Sequence, residues 1–303
     1  MIETKKLEKI LAKIRLNKIN PRLASEEIQR FIVDTVVSAG KSGGVIGLSG
    51  GIDSTTVAYL AKKAFDKYNE ENSEKNSLKL YGLIMPAKAN REVDTQDGIR
   101  VAELLGVEYD IVEIQPLADV FIHVRPGKIE GTFHRGNLSS EMRAIVLSRE
   151  AAARNVLVLG TGNRDEDYCL GYFTKRGDGS VDLSPIGNLH KRQVRQVAKH
   201  LGVPEYLINR ISTAGLYEGQ TDEGDLGFSY LEAEIIVAGK DQGYTREELE
   251  MITEFGSARK ADEKNTTIVN KVLDMHEANK FKMEMPPVAN INCYWGGNLD
   301  GYF

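Results

Sequence analysis

The sequence predicts an α/β fold: a mostly parallel, doubly wound sheet with additional N- and C-terminal helices. Three observations predict it. Short apolar runs alternate with helical patterns at the spacing of strand–helix–strand units. The first such unit joins its strand to its helix through a glycine-rich turn, Ser49-Gly50-Gly51-Ile52-Asp53-Ser54. The 303 residues are 41% hydrophobic and 27% charged, which argues against wholesale disorder and against a coiled-coil rod. A chain of this length buries roughly 75% of its unfolded surface, so stability needs neither a disulfide nor a metal.

Each element follows from its pattern. Leu7, Ile10, Leu11 and Ile14 recur at helical spacing, giving an amphipathic helix that ends near Asn20-Pro21. A second helix is expected with Ser25 as N-cap and Ile28, Phe31, Ile32 and Val36 on one face. Residues 45–48 form an apolar run suited to a buried parallel strand. After the glycine-rich turn, Val57, Leu60, Ala61, Ala64 and Phe65 mark a core helix. The polar stretch 69–77 reads as a surface loop, 78–85 as a strand, and 93–105 as a helix with Gly106 as its C-cap. A third strand at 107–114 precedes a polar segment at 125–136, a helix at about 138–153 and a strand at 156–159. Further helices are expected at about 190–201, 204–210, 228–238, 247–255 and 266–280, and the last twenty residues read as irregular. The whole, 1–303, is read as one domain: N-terminal helices (1–42), a core (43–210), and a loop with C-terminal helices (211–303).

The net charge of −5 gives no general attraction to nucleic acid or to an anionic membrane. Cys169 and Cys293 are the two cysteines and form no CxxC pair, which excludes a disulfide scaffold and a cysteine-based metal centre and fits a reducing compartment. The N-terminus lacks the apolar core of a secretory signal. No apolar stretch approaches the roughly 18 residues of a membrane span. A cytoplasmic protein with no nucleic-acid or membrane partner is expected.

The glycine-rich turn carries the strongest chemical signal. A turn that wraps a phosphate must expose several backbone N–H groups at close range, which glycine permits. The following helix adds the positive end of its dipole, and Ser49, Ser54 and Thr55 offer hydroxyls. Asp53 is a poor phosphate neighbour unless a cation lies between them, so it reads as a magnesium ligand. The turn has no lysine and is not the GxxxxGK[ST] loop.

This turn resembles the pyrophosphate-binding loop of ATP pyrophosphatases. Gly160-Thr161-Gly162-Asn163, Gly171-Tyr172-Phe173-Thr174-Lys175, Gly177-Asp178-Gly179, Pro185-Ile186, Leu189-His190-Lys191-Arg192-Gln193 and Gly219-Gln220-Thr221-Asp222-Glu223 follow. They stand in the order seen in ammonia-dependent NAD synthetases. The resemblance runs from about residue 44 to residue 230. It implies a Rossmann-like sheet of the adenine nucleotide alpha hydrolase type. It also implies a reaction: MgATP adenylates the nicotinate carboxylate of deamido-NAD, and ammonia converts the adenylate to NAD with release of AMP. By the same resemblance, Gly47, Leu48, Ser49, Gly50, Gly51, Ile52, Asp53, Ser54, Thr161, Lys191 and Thr213 contact ATP. Asp53 and Glu166 bind Mg²⁺, Asp53 and Lys191 serve catalysis, and Arg143, Lys175, Asp182 and Lys282 contact the dinucleotide. A lid over 212–224, a homodimer, and free ammonia or an external glutaminase as nitrogen source are also implied, since the chain has no room for a glutaminase domain.

Two positions depart from the family. Its helix after Gly-Asn carries Ala-Arg-x-Arg, whereas here Gly136-Asn137 leads to Glu141 and Arg143. Arg to Glu replaces a donor fork by an acceptor. A family His-Lys pair is matched by Phe281-Lys282, and phenylalanine donates no hydrogen bond. Both changes fall on the acceptor side, which keeps open a second reading: an adenylating amide ligase acting on a different carboxylate. Plainer readings stand beside the functional ones. Lys191 with Arg192 and Arg195 reads as a solvated basic face, Asp178 and Asp182 as turn formers, Glu166 as part of a surface charge run, and Asp222-Glu223 as a capping pair. His123, His134 and His190 are given no role.

Overall fold

The computed structural model describes residues 4–72, 77–213, 219–253 and 266–289. Two helices, α1 (Thr4–Leu11) and α2 (Pro21–Ser38), precede the sheet. Ser25 is not the cap of α2. Asn20 is, its side chain accepting from the N–H groups of Arg22 and Leu23, with Pro21 at the first helical position, where a missing N–H costs nothing. Ser25 is buried one turn inside the helix, where its hydroxyl accepts from Gln29 Nε2.

The core runs β1 (Gly43–Gly47), α3 (Ile52–Glu71), β2 (Lys79–Ile84), α4 (Glu92–Leu105), β3 (Glu108–Ile111), α5 (Gln115–Val124), α6 (Gly131–Arg154) and β4 (Leu157–Val158). The four strands lie in the order β3-β2-β1-β4 and every pairing is parallel. Side chains alternate across β1: Val45 joins the core under α5 and α6, and Ile46 joins the core under α2 and α3. Gly106 closes α4 in the left-handed conformation, φ 60°, as its position after the last apolar residue predicts.

α1 ends at Leu11 rather than near Asn20, and three stretches of the core also differ from expectation. Asn69 to Glu71 belong to α3, and Asn69 clamps the incoming strand by exchanging two hydrogen bonds with the Leu78 backbone (2.8 and 2.9 Å). α5 had no expected counterpart. α6 starts at Gly131 rather than near 138, its glycine-containing first two turns tied down where Thr174 Oγ1 donates to Asn137 Oδ1. Tertiary contact overrides weak propensity there.

Beyond β4 lie a π turn (Asp165–Leu170), α7 (Lys191–Leu201), α8 (Glu205–Ile208), α9 (Asp222–Leu226), α10 (Tyr230–Asp241), α11 (Arg246–Thr253), α12 (Ile268–Asn279) and a 3₁₀ turn (Lys280–Lys282). α7 packs beside α2 and α3 on the sheet. The π turn, α10, α11 and α12 enclose a second core that includes Ile14, Leu170, Phe228, Ile235 and Val272. Among the described residues no helix is long and apolar enough to cross a membrane.

The chain leaves β1 toward β2 and returns to its other side at β4. The connections therefore diverge between the carboxyl ends of β1 and β4, which is where such sheets open a crevice for a ligand.

Candidate active site

The glycine-rich turn occupies that crevice. Gly50 has φ 72°, and a Cβ there would lie 2.5 Å from the Asp94 carbonyl oxygen. Both the backbone angle and the space require glycine. Gly51 caps α3 without a side-chain bond, so the first N–H groups of this helix stay available for an anion. Ser49 and Ser54 hydroxyls lie 3.0 Å apart across the turn.

Lys191, the first residue of α7, reaches back into the turn. Its Nζ donates to Asp53 Oδ2 (2.6 Å) and Glu166 Oε1 (2.7 Å). Its side chain is 2% exposed, which overturns the solvated basic face. Burial works against its charge, but Asp53 and Glu166 hold the ammonium above the ordinary lysine range. Burial also raises Glu166, to about 8, with Lys191 opposing and Asp53 adding to the rise. Asp167 is pushed to about 7 by burial, then by Asp178 and Asp53.

Asn163 organises both acids. Its Nδ2 donates to Asp53 Oδ1 (3.1 Å), and its Oδ1 accepts from the N–H groups of Asp165 (3.0 Å) and Glu166 (3.2 Å). Tyr230 donates to Asp222 Oδ2 (2.9 Å) and lies 3.4 Å from Glu166, so Asp222 does more than cap a helix. Arg210 donates to the Gly50 carbonyl (2.9 Å) and pairs with Asp94 and Asp97.

Many of these groups line a pocket of about 310 Å³. Gly47, Leu48, Ser49, Gly51, Ile52 and Asp53 form one wall, with Thr161, Glu166, Lys191 and Thr213 around them. Arg143 also lines it, with Nε donating to the Met85 carbonyl (3.0 Å) and Nη2 to Asn90 (2.8 Å). Five carboxylates (Asp53, Asp94, Glu166, Asp178, Asp222) face three cations (Arg143, Lys191, Arg210). A triphosphate enters such a pocket favourably only with a cation of its own. The oxygen donors Asp53 and Glu166 suit a hard divalent ion.

The other residues expected on the acceptor side lie elsewhere. Asp182 is exposed, and its carboxylate accepts from the Val158 N–H (2.7 Å). Lys175 donates to the carbonyls of Phe281 (2.5 Å) and Glu284 (3.2 Å), and Lys282 to those of Gly171 (2.8 Å) and Phe173 (3.0 Å). The two lysines cross-brace the 3₁₀ turn against the segment after the π turn. Glu141 is half-buried on α6, and Phe281 is exposed with Lys175 Nζ 5.4 Å from its ring centre.

Sequence reasoning missed Asp165, His190 and Tyr230. Arg164 to Asp167 reads as a surface run because nothing in a charge run announces a π turn. That turn buries Asp165 while Glu166 faces the pocket.

The NAD synthase family model matches residues 24–286. The NH(3)-dependent NAD(+) synthetase of Halobacterium salinarum is 41% identical over 262 residues, 86% of this chain and 91% of that protein. The NMN synthetase structure from Francisella tularensis matches with a TM-score of 0.74 at 30% identity, covering 90% of this chain and all of that one. The NH3-dependent NAD synthetase of Campylobacter jejuni matches with a TM-score of 0.68 at 27% identity, covering 90% of this chain and 100% of that one. The fold, the site and these likenesses lead to one conclusion: the chain belongs to the NAD synthase family.

Proposed function

We propose that this chain is an ammonia-dependent NAD synthetase, an ATP-dependent amide-forming ligase. The nicotinate carboxylate of deamido-NAD attacks the α-phosphorus of ATP and pyrophosphate leaves. Ammonia then attacks the acyl adenylate, loses its extra proton and expels AMP. The observation that carries this reading is Lys191, buried between Asp53 and Glu166 at the mouth of the glycine-rich turn. Negative charge develops on the leaving pyrophosphate, and a lysine with a fan of backbone N–H groups is what such a transition state needs. Asp53 and Glu166 would hold Mg²⁺, which when bound neutralises charge on the phosphate oxygens. Gly50 and Gly51 let the turn approach the phosphates, Arg210 holds the turn in place, and Asn163 aims both acids.

The test is to mix the protein with MgATP, ammonium and deamido-NAD and to measure NAD and pyrophosphate together. Equal amounts support the reading; pyrophosphate without NAD, or neither product, sinks it.

A second reading has its own support. The acceptor is nicotinate mononucleotide, and the product NMN. The likeness to the NMN synthetase structure and Glu141 in place of a family arginine favour it. The same assay with the mononucleotide decides, by the ratio of kcat/KM for the two acceptors.

The assembly we infer is a homodimer through α5 and α6. These helices leave Leu117, Val120, Phe121, Val124, Phe133 and Ile145 exposed, and exposed apolar surface gathered on one face marks an interaction site. Ammonia would come free or from a separate glutaminase, and the cytoplasm is the proposed location.

A further inference from the structure

Behind Lys191, away from the pocket, lies a buried polar chain that the proposed reaction does not use. His190 Nδ1 donates to Asp165 Oδ1 at 2.6 Å, and Asp165 Oδ2 accepts the Lys191 backbone N–H at 2.8 Å. His190 Nε2 lies 3.6 Å from Glu234 Oε1 on α10. Glu234 is gripped by Arg192, whose Nη2 also reaches the Asn17 carbonyl (2.6 Å). Asp165, His190 and Glu234 are all buried.

With Cys169, Asp165 and His190 have the composition of a cation site, their ligand atoms all within 4.8 Å of one another. Geometry decides against an ion. Ligands of a four-coordinate metal at about 2.0–2.3 Å stand about 3.3 Å or more from each other, whereas the Asp165–His190 contact is a 2.6 Å hydrogen bond.

We propose that Asp165 and His190, backed by Glu234, are positioning residues that hold Lys191 and Glu166 in register. Asp165 fixes the start of α7 by accepting the Lys191 N–H. Its own N–H and that of Glu166 are fixed by Asn163. One buried carboxylate thus joins the two backbone segments whose side chains meet in the pocket. His190 occupies one oxygen of Asp165 so that the other stays aimed at Lys191. Supporting groups of this kind commonly change activity by about 10–100-fold when removed.

This inference rests on the reading of Lys191 as a catalytic group. The test compares His190→Asn with His190→Gln. An Asn amide nitrogen lies near the position of Nδ1 and keeps the donor to Asp165, whereas a Gln amide lies near Nε2 and loses it. Turnover, the Kd for α,β-methylene ATP, and hydrogen exchange of the Lys191 amide are measured on both and on the unsubstituted protein. His190→Gln is expected to lower turnover about 10–100-fold, speed exchange at Lys191 and change the Kd less than about threefold. His190→Asn is expected to restore turnover and amide protection. Equal behaviour of the two variants, or unchanged Lys191 exchange in His190→Gln, would overturn the proposal. An unsubstituted protein that makes no amide product would instead overturn the functional reading, and the exchange data would still judge the positioning role.

Discussion

Lys191 Nζ is held by Asp53 and Glu166, with the Tyr230 ring centre 5.2 Å away, so removing its ammonium tests its part in the chemistry. Lys191→Met is expected to lower kcat by about 10²–10³-fold, the usual loss for one donor to developing charge; steady-state kinetics at saturating ATP checks it, and an unchanged kcat would remove Lys191 from the transition state. Glu166 makes a pH prediction. Its carboxyl is raised from 4.5 to about 8 in the folded chain, chiefly by burial. The folded state therefore binds more protons than the unfolded state between those values. The stabilisation this proton gives is full below the ordinary carboxyl range and is lost as pH rises through about 8. In EDTA and without nucleotide, Tm is expected to fall from pH 5 to pH 8, and Glu166→Gln to flatten that slope. A slope unchanged by Glu166→Gln would assign the effect to other groups, with Asp167 the next to substitute.

Elements were legible in the sequence where period and punctuation agreed. Gly106 ends α4 and the apolar run at 45–48 marks β1 because each signal is local. The start of α2 was misplaced because two residue types compete for one cap: Ser25 has the chemistry, but Asn20-Pro21 has it together with the fixed φ of proline. α5 escaped notice because it is short and apolar on its outer side, so its pattern does not contrast a wet face with a dry one. Gly98 tests the packing of α4 on the segment between β1 and the glycine-rich turn. A Cβ there would lie 2.6 Å from the Leu48 carbonyl oxygen. In an open helix, Gly→Ala stabilises by about 1 kcal/mol. Here Gly98→Ala is expected to destabilise by about 1–3 kcal/mol through overpacking, so the sign of the shift in urea midpoint decides whether α4 approaches that segment this closely.

For the whole molecule, the glycine-rich turn was readable because its residues are contiguous, and the fold does place it in the crevice. The rest is assembled from segments more than a hundred residues apart, such as Asp53 with Asn163 and Lys191, and one sequence gives no measure of such proximity. The apolar face of α5 and α6 belongs to this same scale. On α5, Ala118 is buried, while Leu117, Val120, Phe121 and Val124 all point outward. A helix face that shows this much apolar surface marks a docking face. A second copy can cover it, because a twofold axis brings the same patch against itself. Val120→Asp with Phe121→Asp places two charges at the centre of that patch at positions already exposed in the single chain, 63% and 43%. The folded chain therefore tolerates them, and the association does not. Light scattering on the eluting protein is expected to show a dimer before the substitutions and a monomer after, with helical content retained. A wild-type monomer, or a dimer that survives both charges, would move the interface away from these helices. Much of the active-site crevice lies off that face, since its lining comes from the turn, the segment after β4, the π turn and α7 as well as from α6. The monomeric variant is thus expected to bind ATP, and measuring its turnover on the carboxylate acceptor shows whether the partner copy completes the acceptor side that Lys175 and Lys282 do not reach from the pocket.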